Sequence, residues 1–309
     1  MARIIANPPV PSLTSVIKGV YHVEAARRQP FGVTLRFLAW QAQHRLRGRP
    51  LRFRTVTGTS LTLLPGASDS LSGFWYHQLP DFEELVFALH LLRPGELFVD
   101  VGANQGGWTM TVAGAGTRVI AFEPVPITRQ RLLANLASND AGIQGRVRVL
   151  PVGLAETAGP ATFSADLDAG NHRIRAGLNP PANTITVDLE RADAALRDED
   201  PTLIKIDVEG EELGVLRGAR TILSKASLQA LVIETFRPDN FAEPSLVAAE
   251  ALLAEYGFLP MAYDPWQREL RPLREPSAGA QNTIYVRDFR SVQGRLKQSA
   301  AITALGTGI

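Results

Sequence analysis

Four acids close apolar runs in this 309-residue chain: Asp100 in LFVDVG, Glu123 in VIAFEP, Asp207 in LIKIDV and Glu234 in LVIET. An acid at the end of a buried strand needs a partner or a task. Glycines follow the first of them at once, in Asp100-Val101-Gly102-Ala103-Asn104-Gln105-Gly106-Gly107. A strand that delivers a glycine loop commonly wraps a nucleotide-like ligand. The spacing is not that of a dinucleotide fingerprint, because Gly102 and Gly106 stand four apart rather than two. No Gly-Lys-Ser/Thr follows, so a P-loop is excluded as well.

Asp100 sharpens the choice of ligand. Its charge would repel a pyrophosphate and attract a cation. S-adenosylmethionine carries an ammonium, a sulfonium and a ribose, and no phosphate. Glu123 ends the next apolar run, 21 residues after Gly102. A carboxylate there can accept both ribose hydroxyl protons, a device that NAD sites share. Asp100 with the Gly102/Gly106 spacing is what points to S-adenosylmethionine.

The implied chemistry is methyl transfer by in-line displacement. An acceptor oxygen must be aligned with the S–CH3 axis and water kept out. An alcohol is a weak nucleophile, so a base or a metal helps. Asp207 can orient the cofactor's amino end, accept the acceptor's proton, or pair with Lys205 two residues earlier. Glu209 can reach the substrate, whereas Glu211 and Glu212 offset a helix dipole in its first turn. Glu234 is a third catalytic candidate. Asp207 and Glu234 together give an alternative in which two carboxylates hold Mg2+; otherwise Glu234 bonds substrate or caps a helix. His172, in GNHRI, suits a general base, though a lone loop histidine is commonly just exposed. Asn171 and Arg173 beside it can contact a polar substrate. His22, His44, His77 and His90 show no ligand spacing and read as ordinary. Trp75, Tyr76 and Trp266 either stack on a sugar, close a lid, or pack.

These residues require a frame. Residues 12–48 read as mostly helical with a break near Pro30, and 51–65 as a hairpin with a Thr-Gly turn. DFEELVFALHLL (81–92) has helical spacing. Strands and helices then alternate: strands at 96–101, 118–124, 147–154, 202–208 and 228–235, with helices at 107–116, 126–139, 211–223 and 245–257. Two small strands fall at 161–166 and 184–189, and a final pair at 258–264 and 282–288. The stretch after Arg290 reads as a polar, frayed tail. Such alternation predicts a doubly wound, mostly parallel α/β sheet with ligands at the strands' carboxyl ends. The expected division is an N-terminal helical and hairpin extension (1–80), a catalytic domain (81–290) and a polar C-terminal tail (291–309).

At this point a family emerges. FVDVGANQGGWT (98–109) resembles motif I of class I S-adenosylmethionine-dependent methyltransferases. VIAFEPVPITRQRLLANLASN (119–139) is similar to the second motif of one branch, the FkbM family. IKIDVEGEELGVLRGA (204–219) is similar to that family's most characteristic signature. The resemblance implies a Rossmann-like sheet of seven strands, the last antiparallel, and O-methylation of hydroxyls on sugars, glycans, lipids or polyketide-like products. It implies that Asp100, Gly102, Ala103, Asn104 and Gly106 line the methionine end and Glu123 holds the ribose. Pro124, Val152 and Gly153 would lie near the adenine, and Asp207 beside the methyl group. The expected function is O-methylation of a saccharide, glycolipid or related metabolite. The rivals are a natural-product O- or N-methyltransferase and a non-catalytic S-adenosylmethionine-binding subunit.

Bulk properties narrow the partners. The net charge is +1, which gives no global signal for nucleic acid, and DVEG stands where a nucleic-acid methylase carries Asn/Asp-Pro-Pro-Tyr. Zero cysteines remove disulfides and thiolate metal sites and fit a cytoplasmic address. The N-terminus lacks an uninterrupted apolar core, so no signal peptide is expected. Charge is uneven: residues 1–54 hold Lys18 and nine arginines against Glu24 alone. A basic amphipathic segment can rest on the inner membrane face or meet an acidic partner; equally it can be a solvated helix packing by its apolar side.

Overall fold

The computed structural model describes residues 24–47, 50–64, 71–164, 183–235, 244–273, 282–304 and 306–309. Helices α1 (Glu24–Arg28) and α2 (Pro30–Arg47) come first. Pro30 separates them, since a proline lacks the amide to continue a helix yet suits its first position. The hairpin β1 (Leu51–Arg54) and β2 (Ser60–Leu63) follows, turning through Gly58. Next are the short α3 (Ser72–Tyr76) and the apolar α4 (Phe82–Leu91).

The alternating part begins with β3 (Leu97–Val101), α5 (Gly107–Gly114), β4 (Arg118–Phe122), α6 (Pro126–Ala137), α7 (Ala141–Gln144) and β5 (Val147–Leu150). A side sheet is built from β6 (Gly153–Leu154), β7 (Gly159–Ser164) and β8 (Thr184–Glu190), followed by α8 (Ala192–Ala195). Then come β9 (Pro201–Ile206), α9 (Glu212–Arg217), α10 (Arg220–Ser224), β10 (Ala230–Glu234) and α11 (Pro244–Glu255). The chain closes with β11 (Leu259–Asp264), β12 (Glu269–Pro272), β13 (Asn282–Val286), α12 (Phe289–Lys297), β14 (Thr303–Ala304) and β15 (Thr307–Gly308).

The main sheet has the order β12-β11-β13-β10-β9-β3-β4-β5. From β5 through β10 the pairs are parallel; β13 runs antiparallel to both β10 and β11. Seven of these strands are the expected set with its antiparallel member. The eighth, β12, extends the edge by pairing antiparallel with β11; its charged sequence, ELRP, gave no strand signal. Chain order reverses between β3 and β9, which is where open α/β sheets bind ligands.

Side chains alternate across the sheet and build two apolar layers. Leu97, Val99, Val101, Ile204 and Ile206 face one layer with α9, α10 and α11. Phe98 and Leu203 face the other, which includes Phe53, Leu61, Leu71, Phe74, Phe82 and, at the far end of the chain, Val292, Leu296 and Ile309. Asp100 and Lys205 share the face of Phe98 and Leu203, so the polar site lies under the N-terminal segments. Strand β2 is tied down there by Asn135 and Asn139, whose Oδ1 atoms accept the Thr62 and Ser60 amides at 2.9 and 2.7 Å.

The expectation of a frayed tail is corrected. Residues 289–297 form α12, capped by Asp288, which accepts the Ser291 amide at 3.0 Å. Its few apolar residues fall on one face, burying Val292 and Leu296, and Arg295 pairs with Glu96 at 2.6 Å. Sparse apolar content hid a strongly one-sided helix.

Candidate active site

The loop after β3 answers the phosphate question by its hydrogen bonds. Gly102 and Ala103 amides both donate to the Phe122 carbonyl, at 3.1 and 3.0 Å. The Asn104 amide donates to Glu123 Oε2 at 2.9 Å, and the Gly106 amide to the Ala103 carbonyl at 2.9 Å. A phosphate cradle aims such amides at the ligand; here all four are committed inside the protein. Gly102 has φ +84°, and a Cβ on it would stand 1.8 Å from the Asp207 carbonyl oxygen. That glycine therefore lets the ends of β3 and β9 approach closely. Asn104, at φ +50°, and Gly106, at φ +88°, complete the turn into α5.

A charged cluster stands at the switch point. Asp100 pairs in register with Lys205 on neighbouring strands. Asp100 Oδ2 accepts the Thr109 hydroxyl at 2.6 Å, while its buried Oδ1 has no partner among the described residues. Burial raises the Asp100 carboxyl above its usual range, and Lys205 and Thr109 partly offset this. The buried Lys205 Nζ donates to Asp207 Oδ2 at 2.7 Å and lies 5.4 Å from the centre of the Trp108 ring. Burial alone would lower the lysine, but Asp207 and Asp100 outweigh it and hold the ammonium above its ordinary value. Trp108 in turn donates its indole N–H to Asp81 Oδ2 at 3.0 Å.

Glu123 closes β4 nearby. It is buried, and its two oxygens accept the Val125 and Asn104 amides, each at 2.9 Å. Burial raises its carboxyl to about 7 despite those amides and Arg129. Arg129 Nη1 braces the following turn by donating to the Glu123 and Pro124 carbonyls. Gly153 lies beside Pro124: a Cβ on it would come 3.4 Å from the proline ring. Val152 packs against the neighbouring apolar layer. Thus Glu123, Pro124 and Gly153 are brought together at the end of β4.

A cavity of about 390 Å³ opens over the cluster. One wall is Asp100, Gly102–Gln105, Trp108, Lys205 and Asp207; the other is the segment Leu71–Asp81, including Phe74, Tyr76, His77 and Asp81. Of this second wall sequence reasoning singled out Tyr76 alone. His77 reads as ordinary by spacing yet is buried in the wall. Gln78 and Asp81 adopt φ +66° and +48°, conformations unusual for side-chain-bearing residues and frequent at functional sites. The dense run Phe74-Trp75-Tyr76-His77 was the available signal. Of the aromatic candidates, Tyr76 lines the cavity, Trp75 packs on Phe53, and Trp266 packs on Phe82 under the Arg28 guanidinium.

The other candidates divide. Glu209 is exposed, at φ +52°, on a turn whose Val208 and Gly210 amides donate to Glu212 Oε1. Glu212 is therefore a buried turn brace as well as a first-turn acid. Ile206 pairs with Ile233, so Asp207 and Glu234 follow on neighbouring strand ends. Among the described residues no group of three His, Cys, Asp or Glu side chains could hold a metal, and the Mg2+ alternative gains no support. Asn171, His172 and Arg173 lie outside the described residues.

The cavity fits S-adenosylmethionine on its donor and acceptor chemistry. Among the described residues Asp100 Oδ1 and Asn104 Oδ1 are buried acceptors without partners, suited to an ammonium, and four of the loop's amides are already committed to the protein's own oxygens. Two known methyltransferases resemble the chain in sequence. The chain is 28% identical over 211 residues to the methyltransferase sdnD of Sordaria araneosa, covering 57% of this chain and 79% of that one. It is 31% identical over 159 residues to the hexuronic acid methyltransferase AglP of Haloferax volcanii, covering 50% and 62%. A solved S-adenosylmethionine-dependent O-methyltransferase from Thermotoga maritima aligns at TM-score 0.39 with 14% identity, covering 76% of each chain. The profile of the methyltransferase FkbM domain matches residues 100–260. The chain belongs to the FkbM family and is an S-adenosylmethionine-dependent methyltransferase.

Proposed function

We propose that this enzyme methylates a hydroxyl oxygen of a saccharide, a glycolipid or a related metabolite. The observation that carries the reading is Asp207. It is half-buried at the cavity wall, with Oδ2 held by Lys205 at 2.7 Å. Among the described residues Oδ1 has no bond and is left for the acceptor's proton.

S-adenosylmethionine supplies the methyl as a sulfonium carbon already activated for displacement. The chain's part is to bind and align. Asp100 and Asn104 hold the amino-acid end, and Gly102, Ala103 and Gly106 shape the loop around it. Glu123 takes the ribose hydroxyls, and Pro124, Val152 and Gly153 border the adenine. The acceptor lies between Asp207 and the wall of Tyr76, His77 and Asp81. With the cofactor bound, Asp207 would take the proton from the acceptor hydroxyl whose oxygen receives the methyl. A wall that mixes rings with polar groups suits a polyhydroxylated ring. The name of the relative AglP, a hexuronic acid methyltransferase, supports the same acceptor class.

The test follows transfer of labelled methyl groups from S-adenosylmethionine to hexuronic-acid-containing glycans. Asp207→Asn should lower turnover by about 10²–10⁴-fold, with calorimetric binding of S-adenosylhomocysteine retained. Near-normal turnover in that variant would remove Asp207 from the reaction.

A further inference from the structure

Helix α2 carries two apolar faces, and among the described residues only one of them has an occupant. Val33 and Trp40 are buried, and Phe37 and Trp40 lie 5.7 and 6.1 Å from Tyr76. Trp75 locks this inner face by donating its indole N–H to the Arg36 carbonyl at 3.0 Å. On the other side Phe31, Leu35 and Leu38 are 85%, 68% and 55% exposed. Their i, i+4, i+7 spacing places them within about 60° of arc, at about 100° per residue. The remaining exposed large apolar residues (Ile127, Leu133, Val247, Leu259 and Phe289) are scattered over other elements. Scattered exposure is ordinary; a stripe on one helix is a contact surface.

Charge identifies the occupant. Residues 27–54 contain eight arginines and no acid. A second copy meeting this face with its own α2, as in a two-fold dimer, would bring the same positive charge to the contact and be repelled. Residues 1–23 cannot neutralise it either, since they hold Arg3 and Lys18 and no acid. An apolar stripe on a basic helix matches an anionic bilayer surface, where the stripe enters the acyl boundary and the arginines meet headgroups. We infer that α2 docks the enzyme on an anionic lipid surface through Phe31, Leu35 and Leu38. Among the described residues no helix is long and apolar enough to cross a membrane, so the attachment is a surface one. The inner face of α2 touches α3, whose Tyr76 lines the cavity, so docking would hold the acceptor site about one helix layer, ~10 Å, from the bilayer.

The inference does not depend on the acceptor, and its test needs none. The full chain is floated with phosphatidylcholine vesicles, with and without one part in three of phosphatidylglycerol. The wild type should float with the anionic vesicles, weakly with the neutral ones, and less at high salt. Changing Phe31, Leu35 and Leu38 together to serine should reduce anionic-vesicle binding about tenfold or more while leaving S-adenosylhomocysteine affinity unchanged. Equal flotation of the two proteins, or no flotation of the wild type, overturns the proposal. So does a dimer in sedimentation that the triple variant dissociates, which would make the stripe a contact between copies. A vesicle-free loss of melting temperature in the variant would assign the stripe to the chain's own residues 1–23 and overturn it equally.

Discussion

Glu123 shows how one residue sets a pH dependence. Its carboxyl is pushed up to about 7 by burial, from an ordinary 4.5, against the pull of two amides and Arg129. A raised carboxyl favours the folded state while it is neutral. Its contribution is complete below the ordinary carboxylate range and is lost as pH rises through about 7. In the proposed binding mode the ribose hydroxyls donate to Glu123 and need its ionised form, so ligand binding has the opposite sign. S-adenosylhomocysteine affinity should rise between pH 6 and 8 by up to about tenfold per unit below the carboxyl's value. Calorimetry across that range checks it. Glu84, half-buried on α4, is also raised, to about 8, by burial first and then by Asp81 and Glu83. Glu123→Gln separates the two, since only the Glu123 component should flatten. Glu123 was legible in sequence because a strand-ending acid at this spacing has a known use. Lys205 was legible only as a possible partner of Asp207: two residues apart on a strand share a face, and the structure pairs them at 2.7 Å.

At the scale of elements, the strand–loop–helix unit at β3 was readable because its alternation and glycines are local signals. The wall at α3 was readable only at Tyr76. A five-residue helix has no period to detect, and the left-handed Gln78 and Asp81 are imposed by packing rather than by residue type. The β12 edge strand was hidden for the same reason, being four residues of mixed charge paired in a hairpin with β11. Two glycines test what the loop's geometry is worth. Gly102 and Gly58 share φ +84°, but a Cβ on Gly58 meets nothing within 4 Å, whereas on Gly102 it strikes the Asp207 carbonyl. Gly58→Ala should cost about 1 kcal/mol in denaturant titration. Gly102→Ala should cost about 3 kcal/mol or more and weaken S-adenosylhomocysteine binding, because the ends of β3 and β9 must part. Equal losses in the two variants would mean that the close approach at Asp207 is not what fixes Gly102.

The whole molecule is bound together more tightly than its composition suggests. The sequence reading divides the chain near residues 80 and 290. One apolar layer nevertheless runs from Ala26 and Phe53 through Phe98 and Val232 to Val292 and Ile309. The Arg295–Glu96 pair and the donation from Arg93 Nη2 to the Arg295 carbonyl, both at 2.6 Å, tie α12 to the segment that starts the sheet. A shared core of this kind predicts one cooperative unfolding transition. The four tryptophans are placed to test it: Trp40 and Trp75 report the N-terminal segments, Trp108 the cofactor loop, and Trp266 the β11–β12 turn. Variants keeping one tryptophan each should melt at the same temperature by fluorescence. Removing residues 289–309 should lower that temperature by about 10 °C or more. The loss takes Val292, Leu296 and Ile309 out of the core, at roughly 1.5–3 kcal/mol each, against a total stability of about 5–15 kcal/mol. Two separated transitions, with Trp40 and Trp75 melting apart from Trp108, would instead restore an independent N-terminal unit. In that case α2 and α3 would be a module laid over the site, and the cavity wall at Tyr76 and His77 could open without unfolding the sheet.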